Sequence, residues 1–206
     1  MLRERQPLHG RTASTLCTCS LAAYLLSATT AGAGEVTHFE IAHADDRYHL
    51  TARALIDAPR DEVWRVLTDY ARLSRVSPRI LKSEVVGGSP PGVTRVRTLN
   101  RLCFLFFCRN LRHVQLIREV GYGDFESTSV PAESDLSYGY ARWRLSDQGP
   151  RTGLSIDFTF AIDTHSWLPA FVGRLVARAV LRSDTVELIK GIERVADTDP
   201  ASTNEH

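Results

Sequence analysis

Residues 54–70, ALIDAPRDEVWRVLTDY, decide the fold because a strand pattern changes to a helix pattern within them. Ahead of the change, residues 47–57 carry apolar and β-favouring side chains and predict a first strand. Pro59 then suits the first turn of a helix, where its missing N–H is no loss. One face of this helix is predicted to be buried, because four residues follow the i, i+3, i+4, i+7 spacing: Val63, Val66, Leu67 and Tyr70.

A series of strands is predicted beyond a short second helix or turn that ends before Pro78. The strand at 152–163 has the clearest pattern, because apolar residues alternate with polar or small ones from 154 to 163. Short turns between consecutive strands predict an antiparallel meander, since parallel neighbours need long crossovers. The predicted strands are 80–86, 93–102, 109–120, 124–130, 136–146 and 152–163.

The chain closes with a predicted amphipathic helix that begins between Ser166 and Pro169 and ends near Ala196. About 27 residues at 1.5 Å each make this helix roughly 40 Å long, enough to cross a whole sheet. We therefore expect an α+β fold, in which a curved antiparallel sheet wraps around the long C-terminal helix. The apolar stripe of the helix consists of Phe171, Leu175, Ala179, Val186, Ile189 and Val195.

The first 33 residues have the order of a secretory signal peptide. Three arginines precede an apolar run at 16–28, which is shorter than the roughly 20 residues that cross a bilayer, and small residues lead up to Ala33. We expect cleavage after Ala33 and export to the periplasm or beyond; a lipoprotein and an uncleaved anchor are the less favoured alternatives. The predicted organisation is a signal peptide at 1–33, an N-terminal extension at 34–46, one domain at 47–197 and a flexible tail at 198–206.

The charges of the chain are balanced, with Lys+Arg 25 against Asp+Glu 24. Nucleic-acid binding would require a strongly basic face, so we expect no nucleic-acid partner. The sequence holds no HExxH, CxxC, Walker or GxGxxG motif, and we predict no cofactor, no metal and no catalytic residue from spacing. The group His43, Asp45, Asp46 and His49 is interpreted as solvated polar residues at a domain edge.

Cys103 and Cys108 remain as an even pair once the leader is removed, and in an oxidising compartment they are a disulfide candidate. In one regular strand, residues five apart point to opposite faces, whereas a reversal within 104–107 brings the two cysteines face to face. We favour the reversal. Its tip would carry Phe104, Phe106 and Phe107, either exposed to a partner, a membrane or a pocket rim, or folded back into the core.

Large aromatic residues on the predicted elements are candidate liners of an apolar pocket between sheet and helix. Core packing explains each of them alone, but together they fit the usual form of a small-molecule site. Arg97 and Arg142 are candidate polar anchors, although exposed strand arginines are the simpler interpretation. The candidate liners are Trp64, Tyr70, Trp143, Phe158, Phe160 and Phe171.

The stretch 54–70 resembles the opening of the START-like (SRPBCC) superfamily, which includes polyketide cyclases and dehydrases, plant pathogenesis-related lipid binders and coenzyme Q-binding START proteins. In that superfamily the helix start is followed by an Asp-Tyr pair, a downstream proline and a long C-terminal helix, and here positions 69–70 and Pro78 match. Residues 130–143 also resemble secreted bacterial members of the cyclase/dehydrase-like branch. The resemblance spans about residues 45–196 and implies a helix-grip fold whose cavity holds lipids, quinones, polyketides or hormones.

Three functions follow as hypotheses. The first is an exported binding protein that holds a hydrophobic small molecule such as a lipid, a quinone or a polyketide-like compound. The second is a cyclase/dehydrase-like enzyme, for which His113, Asp135 or Tyr138 would supply the acid or base. The third is an interaction module that contacts a membrane or a protein through the tip at 104–107. The oligomeric state is not indicated by the sequence.

Overall fold

The computed structural model of the chain describes residues 34–104, 107–162 and 170–198. The predicted leader at 1–33 and residues 199–206 of the predicted tail lie outside the described residues. Within the described ranges, no helix combines the length and apolar character that a membrane crossing requires.

Eight strands form one curved sheet in which all neighbouring strands run antiparallel. In chain order they are β1 (Glu35–Ala44), β2 (Arg47–Ile56), β3 (Ile80–Val86), β4 (Thr94–Phe104), β5 (Phe107–Gly121), β6 (Asp124–Ser129), β7 (Leu136–Gln148) and β8 (Arg151–Ile162). The order across the sheet is β1-β2-β8-β7-β6-β5-β4-β3, so β1 and β3 are its edges. The antiparallel meander predicted for β3 to β8 is confirmed.

Helices cover the concave face of the sheet. They are α1 (Arg60–Thr68), a 3₁₀ helix at Tyr70–Arg75 and α2 (Ala170–Thr198), while a short 3₁₀ turn at Pro131–Glu133 lies in the connection from β6 to β7. The predicted apolar face of the first helix is confirmed, because Val63, Val66, Leu67 and Tyr70 are all buried. Acidic side chains occupy the first turn of α1, where the positive end of the helix dipole favours them.

The core lies between the concave face of the sheet and the two α-helices. Strand β2 contributes every second residue to it, which is the period of a strand with one buried face: Leu50, Ala52, Ala54 and Ile56. Ile56, Ile189 and Ile192 have no exposed surface. Burying side chains of this size stabilises the fold by about 1.5–3 kcal/mol each, so these three anchor α2 to the sheet.

The buried face of α2 differs in part from the predicted stripe. Ile189 and Val195 are buried, Val186 is half-buried and Ala179 is exposed. Ala179 lies ten residues before Ile189, which is about 80° around the helix and takes it off the buried face. The side chains of Phe171 and Leu175 lie outside the described residues.

Two local features also differ from expectation. Residues 34–46, predicted as an extension, contain the edge strand β1, which pairs with β2 from Glu35 to Ala44 with one register shift between Val36 and His38. The pairing of β4 with β5 continues to Phe104 and Phe107, so two residues connect the strands instead of four. Cys103 and Cys108 are directly opposite in this hairpin, with Cα atoms 4.0 Å apart and sulfur atoms 2.06 Å apart. The rings at 104–107 lie outside the described side chains.

Candidate functional site

A cavity of about 260 Å³ lies between the concave face of the sheet and the helices. Its roof comes from the end of α1, the 3₁₀ helix and Leu188 of α2, and its floor from residues of β3 to β8. Most of the lining is apolar: Leu67, Tyr70, Leu73, Val76, Ile80, Ile117, Phe125, Ala141, Trp143, Ile156, Phe158 and Leu188.

Stacked aromatic rings stiffen the apolar wall. Phe125 and Trp143 face each other across the β6–β7 pair, with ring centroids 5.6 Å apart and ring planes 11° from parallel. Phe158 stacks on Phe160, with centroids 4.7 Å apart. Such pairs contribute about 0.5–1.5 kcal/mol beyond their burial, so they help to hold the aromatic side of the cavity in place.

Polar side chains form a separate patch on one side of the cavity, on β4, β5 and β6: Thr98, Asn100, His113, Gln115 and Ser127. We call these five residues the polar patch. Thr98 and His113 are directly paired across β4 and β5, which brings the two rows of the patch together. The Asn100 amide donates to the Thr98 hydroxyl at 2.9 Å, and that hydroxyl donates to the His113 carbonyl at 3.4 Å. Gln115 lines the cavity, and no hydrogen bond of its amide is found within the described ranges.

His113 is the titratable ring of the polar patch. Its Nε2 lies 2.7 Å from the hydroxyl oxygen of Ser129, which is itself buried. Gly139 leaves room for that hydroxyl, since a Cβ atom at Gly139 would lie 2.0 Å from it. Burial lowers the pKa of His113 to about 4, because the low-polarity surroundings disfavour the imidazolium. At neutral pH the ring is therefore uncharged, with one nitrogen donor and one acceptor.

Tyr70 lines the cavity from the 3₁₀ helix. Its hydroxyl donates to a carboxylate oxygen of Glu119 at 3.1 Å. Burial raises the pKa of Tyr70 well above its usual value, and the negative charge of Glu119 adds to that effect. The phenol is therefore neutral under ordinary conditions and already occupied as a donor.

The predicted liners divide into three groups. Tyr70, Trp143 and Phe158 line the cavity. Trp64 and Phe160 are packed beside it and do not line it: Trp64 lies against Phe125 with centroids 5.9 Å apart, and Phe160 stacks between Tyr48 and Phe158. Phe171 lies outside the described side chains.

The two candidate anchors lie on the opposite face of the sheet. On β4, Thr98 points into the cavity, and its neighbour Arg97 therefore points outward, where it pairs with Glu84 at 3.0 Å. On β7, Trp143 points inward and Arg142 outward, pairing with Asp124 at 2.7 Å. Strand alternation thus places both guanidinium groups away from the cavity.

The candidate acid–base residues are not brought together. His113 lines the cavity. Asp135 instead accepts a hydrogen bond from the backbone N–H of Arg112 at 2.7 Å, and Tyr138 lies under the Arg47 guanidinium at 4.0 Å from its ring centroid. Neither lines the cavity, so His113 is the candidate that the fold places there.

A curved antiparallel sheet closed by a long C-terminal helix over an internal cavity is the helix-grip arrangement of START-like proteins. Residues 56–183 match the family described as polyketide cyclase/dehydrase and lipid transport. The chain belongs to this family. A search of curated proteins finds no match.

Solved structures share the fold at low sequence identity. An aromatase/cyclase, Zhui from Streptomyces sp. R1128, has 16% identity and a TM-score of 0.63, over 78% of this chain and 99% of that one. A Thermus thermophilus protein has 19% identity and a TM-score of 0.60, over 74% and 99%. A START superfamily protein from Mycobacterium smegmatis has 12% identity and a TM-score of 0.57, over 73% and 97%. Identities this low establish the fold alone.

Proposed function

We propose that the processed chain is an exported binding protein that holds a hydrophobic small molecule with one polar group. The observation that carries the proposal is the division of the cavity into an apolar wall and a polar patch. A bound molecule would place its apolar part against Trp143 and Phe158 and its polar group beside Asn100, His113 and Gln115. Lipid, quinone and polyketide-like compounds all have this two-part character.

The size of the cavity supports a compact ligand. A volume of about 260 Å³ lies just below the roughly 300–1,000 Å³ of common ligand pockets. Burying roughly 200 Å² of apolar ligand surface would contribute about 5 kcal/mol before the cost of association is subtracted. A single ring system or a short acyl chain is small enough for this volume and can bury about this much apolar surface.

Native mass spectrometry of the chain, purified without organic solvent, tests the proposal directly. We expect a mass increment that disappears after denaturation and extraction, and the extract identifies the compound. A chain that carries no compound and takes up no lipid or quinone from mixed vesicles would contradict the proposal.

A cavity-filling variant supplies the matched control. Ala141 lines the cavity, so Ala141→Phe should occupy space that the ligand needs and lower the bound fraction at least tenfold. Ala44→Phe makes the same change at an exposed position of β1 and should leave binding unchanged. Thermal unfolding of both variants separates loss of binding from loss of folding.

Enzymatic turnover is the second candidate, and His113 is the observation that favours it. A neutral imidazole beside a cavity is a potential general base, and other structures of this fold include an aromatase/cyclase. A pKa of about 4, however, makes the ring a weak base at neutral pH. General-base catalysis is most efficient when the pKa of the base lies near the pH of the reaction. We therefore favour binding. Turnover of a poly-β-carbonyl compound by the wild-type chain, lost in His113→Gln, would reverse that preference.

Export is the remaining part of the proposal. It is supported by the order of charged, apolar and small residues ahead of Gly34 and by the facing cysteines of the β4–β5 hairpin. Fractionation of cells that express the full-length gene should place the processed chain outside the cytoplasm. Recovery of only full-length chain in the cytosol would contradict export.

A further inference from the structure

A buried carboxylate on α2 binds the backbone at the start of the described chain. Glu193 has 8% of its surface exposed. One of its carboxylate oxygens accepts the backbone N–H of Gly34 at 2.8 Å, and the other accepts the backbone N–H of Asp57 at 2.7 Å. The side chain thereby joins the start of β1, the end of β2 and the C-terminal helix at one point.

The contact with Gly34 is so close that any larger residue would have to push the Glu193 and Ile189 side chains aside. A Cβ atom at Gly34 would lie 2.2 Å from Oε1 of Glu193 and 2.6 Å from Cγ2 of Ile189. The backbone nitrogen of Gly34 is thus held against the carboxylate by shape as well as by a hydrogen bond.

The carboxylate also lacks a positive partner. Across residues 34–104, 107–162 and 170–198, no arginine, lysine or histidine pairs with Glu193, which has two backbone amides as its partners. Burying a carboxylate without a countercharge is costly, and a cation at hydrogen-bond distance would offset much of that cost. Of its two amide partners, the nitrogen of Gly34 is the one that cleavage after Ala33 would turn into a cation.

We propose that cleavage after Ala33, which the leader pattern predicts, creates an ion pair between the new Gly34 α-ammonium and Glu193. Water adds across the peptide bond: Ala33 leaves as a carboxylate, and the Gly34 nitrogen, which had one hydrogen, becomes an ammonium with three. The hydrogen bond to Glu193 becomes charge-assisted and stronger. Processing therefore stabilises the folded domain. The inference rests on export but not on ligand binding.

The first experiment identifies the processed end. The full-length gene is expressed in a bacterial host with an active leader peptidase, and the N-terminus of the exported chain is sequenced. We expect Gly34. A chain that starts at any other residue would overturn the proposal.

The second experiment compares four chains to measure how much the Glu193 charge contributes to the stabilisation by cleavage. Processed chain and a cleavage-resistant Ala31→Leu/Ala33→Leu precursor are compared, each with Glu193 or with Glu193→Gln, in one detergent-containing buffer. Cleavage should raise the unfolding midpoint by about 2–8 °C when Glu193 is present, the shift expected when a charge-assisted hydrogen bond replaces a neutral one in a chain of this size. It should have no such effect with Glu193→Gln. Equal shifts in both backgrounds would overturn the proposal.

A chemical measurement covers the case in which Glu193→Gln fails to fold. Acetylation of the Gly34 amine in the processed wild-type chain is followed by intact mass and peptide mapping. An ion-paired, half-buried ammonium should react at least tenfold more slowly in the folded chain than in urea, while the exposed Lys190 should react at similar rates in both. If folding slows the acetylation of Gly34 no more than that of Lys190, relative to the rates in urea, the ion pair is contradicted. Ligand binding is not measured in these experiments, so their failure leaves the proposed binding function standing.

Discussion

Gly191 of α2 lies directly against the backbone carbonyl of Val76, so closely that a Cβ atom at Gly191 would lie 1.6 Å from that oxygen. The contact fixes how near α2 comes to the end of the 3₁₀ helix, which roofs the cavity. Arg194, one turn farther along α2, donates to the carbonyl of Arg75 at 3.2 Å and holds the same junction. The absence of a side chain at Gly191 therefore allows α2 to pack closely against the 3₁₀ helix that lines the cavity.

Gly191→Ala should destabilise the chain, although alanine is the better helix former. In an exposed helix the change would gain about 1 kcal/mol. Here the added methyl group must displace α2 or the 3₁₀ helix, and we expect a net loss of about 1–2 kcal/mol in the free energy of unfolding, the overpacking cost less the gain in helix propensity. Urea titration measures it. Lys190→Ala, at the adjacent exposed position, is the control and should change stability by no more than about 0.5 kcal/mol.

The stability of the chain should fall between about pH 6.5 and pH 4 because of His113. The folded-state pKa of about 4 lies below the ordinary value of 6.5, so in this window the unfolded chain binds a proton that the folded chain does not. The contribution of His113 to the free energy of unfolding is fully present above pH 6.5, decreases as the pH falls, and is lost below pH 4. The contribution is about 1–3 kcal/mol, discounted for the partial exposure of the ring to the cavity.

His113→Gln tests this dependence, because its amide can keep the hydrogen bond to Ser129 without titrating. Unfolding free energies measured by urea at pH 4, 5, 6 and 7 should show a flatter profile for the variant than for the wild type. His49→Gln, at an exposed histidine of β2, is the control and should keep the wild-type profile. If both variants follow the wild-type curve, the low pKa of His113 is wrong.

Gln115→Leu should weaken ligand binding without weakening the fold. The Gln115 amide faces the cavity, and within the described ranges it has no protein hydrogen bond to lose. Loss of one hydrogen bond to a ligand corresponds to roughly a 2- to 12-fold increase in Kd. Fluorescence displacement of a bound apolar dye gives the affinity, and thermal unfolding gives the stability. Gln148→Leu, on the exposed end of β7, is the control, and an equal loss of affinity in both variants would exclude a contact at Gln115.

The sequence predicted the sheet well because most of its strands have one buried face. The apolar residues of β8 alternate cleanly, and Leu154, Ile156 and Phe160 are buried as that alternation requires. Strand β1 was missed because its inward apolar residues, Val36, Phe39 and Ile41, are only half-buried and a register shift after Val36 spaces them unevenly, so the sequence shows no regular alternation. An edge strand of this kind has the composition of a surface segment.

The polar patch could not be predicted, and strand β5 shows why. His113 and Gln115 point into the cavity, yet Val114 on the opposite face is also buried, under the connection that follows β6. Because both faces of β5 are covered, buried and exposed residues do not alternate along it. The sequence therefore did not indicate which polar residues face inward. The contact between Gly34 and Glu193 joins residues 159 positions apart, and no local pattern reports it.

Reduction of the Cys103–Cys108 pair should lower the stability of the chain by a modest amount. The two residues are directly opposite in the β4–β5 hairpin, so the strand pairing already holds them together. Loop entropy for so short a closed segment gives about 2 kcal/mol, which corresponds to a fall of roughly 4–8 °C in the unfolding midpoint for a chain of this size. The double variant Cys103→Ser/Cys108→Ser should reproduce the reduced wild type and should not respond to reductant. Two free thiols in the exported chain, or a midpoint that reductant does not change, would show that the cysteines act only as small side chains of the hairpin.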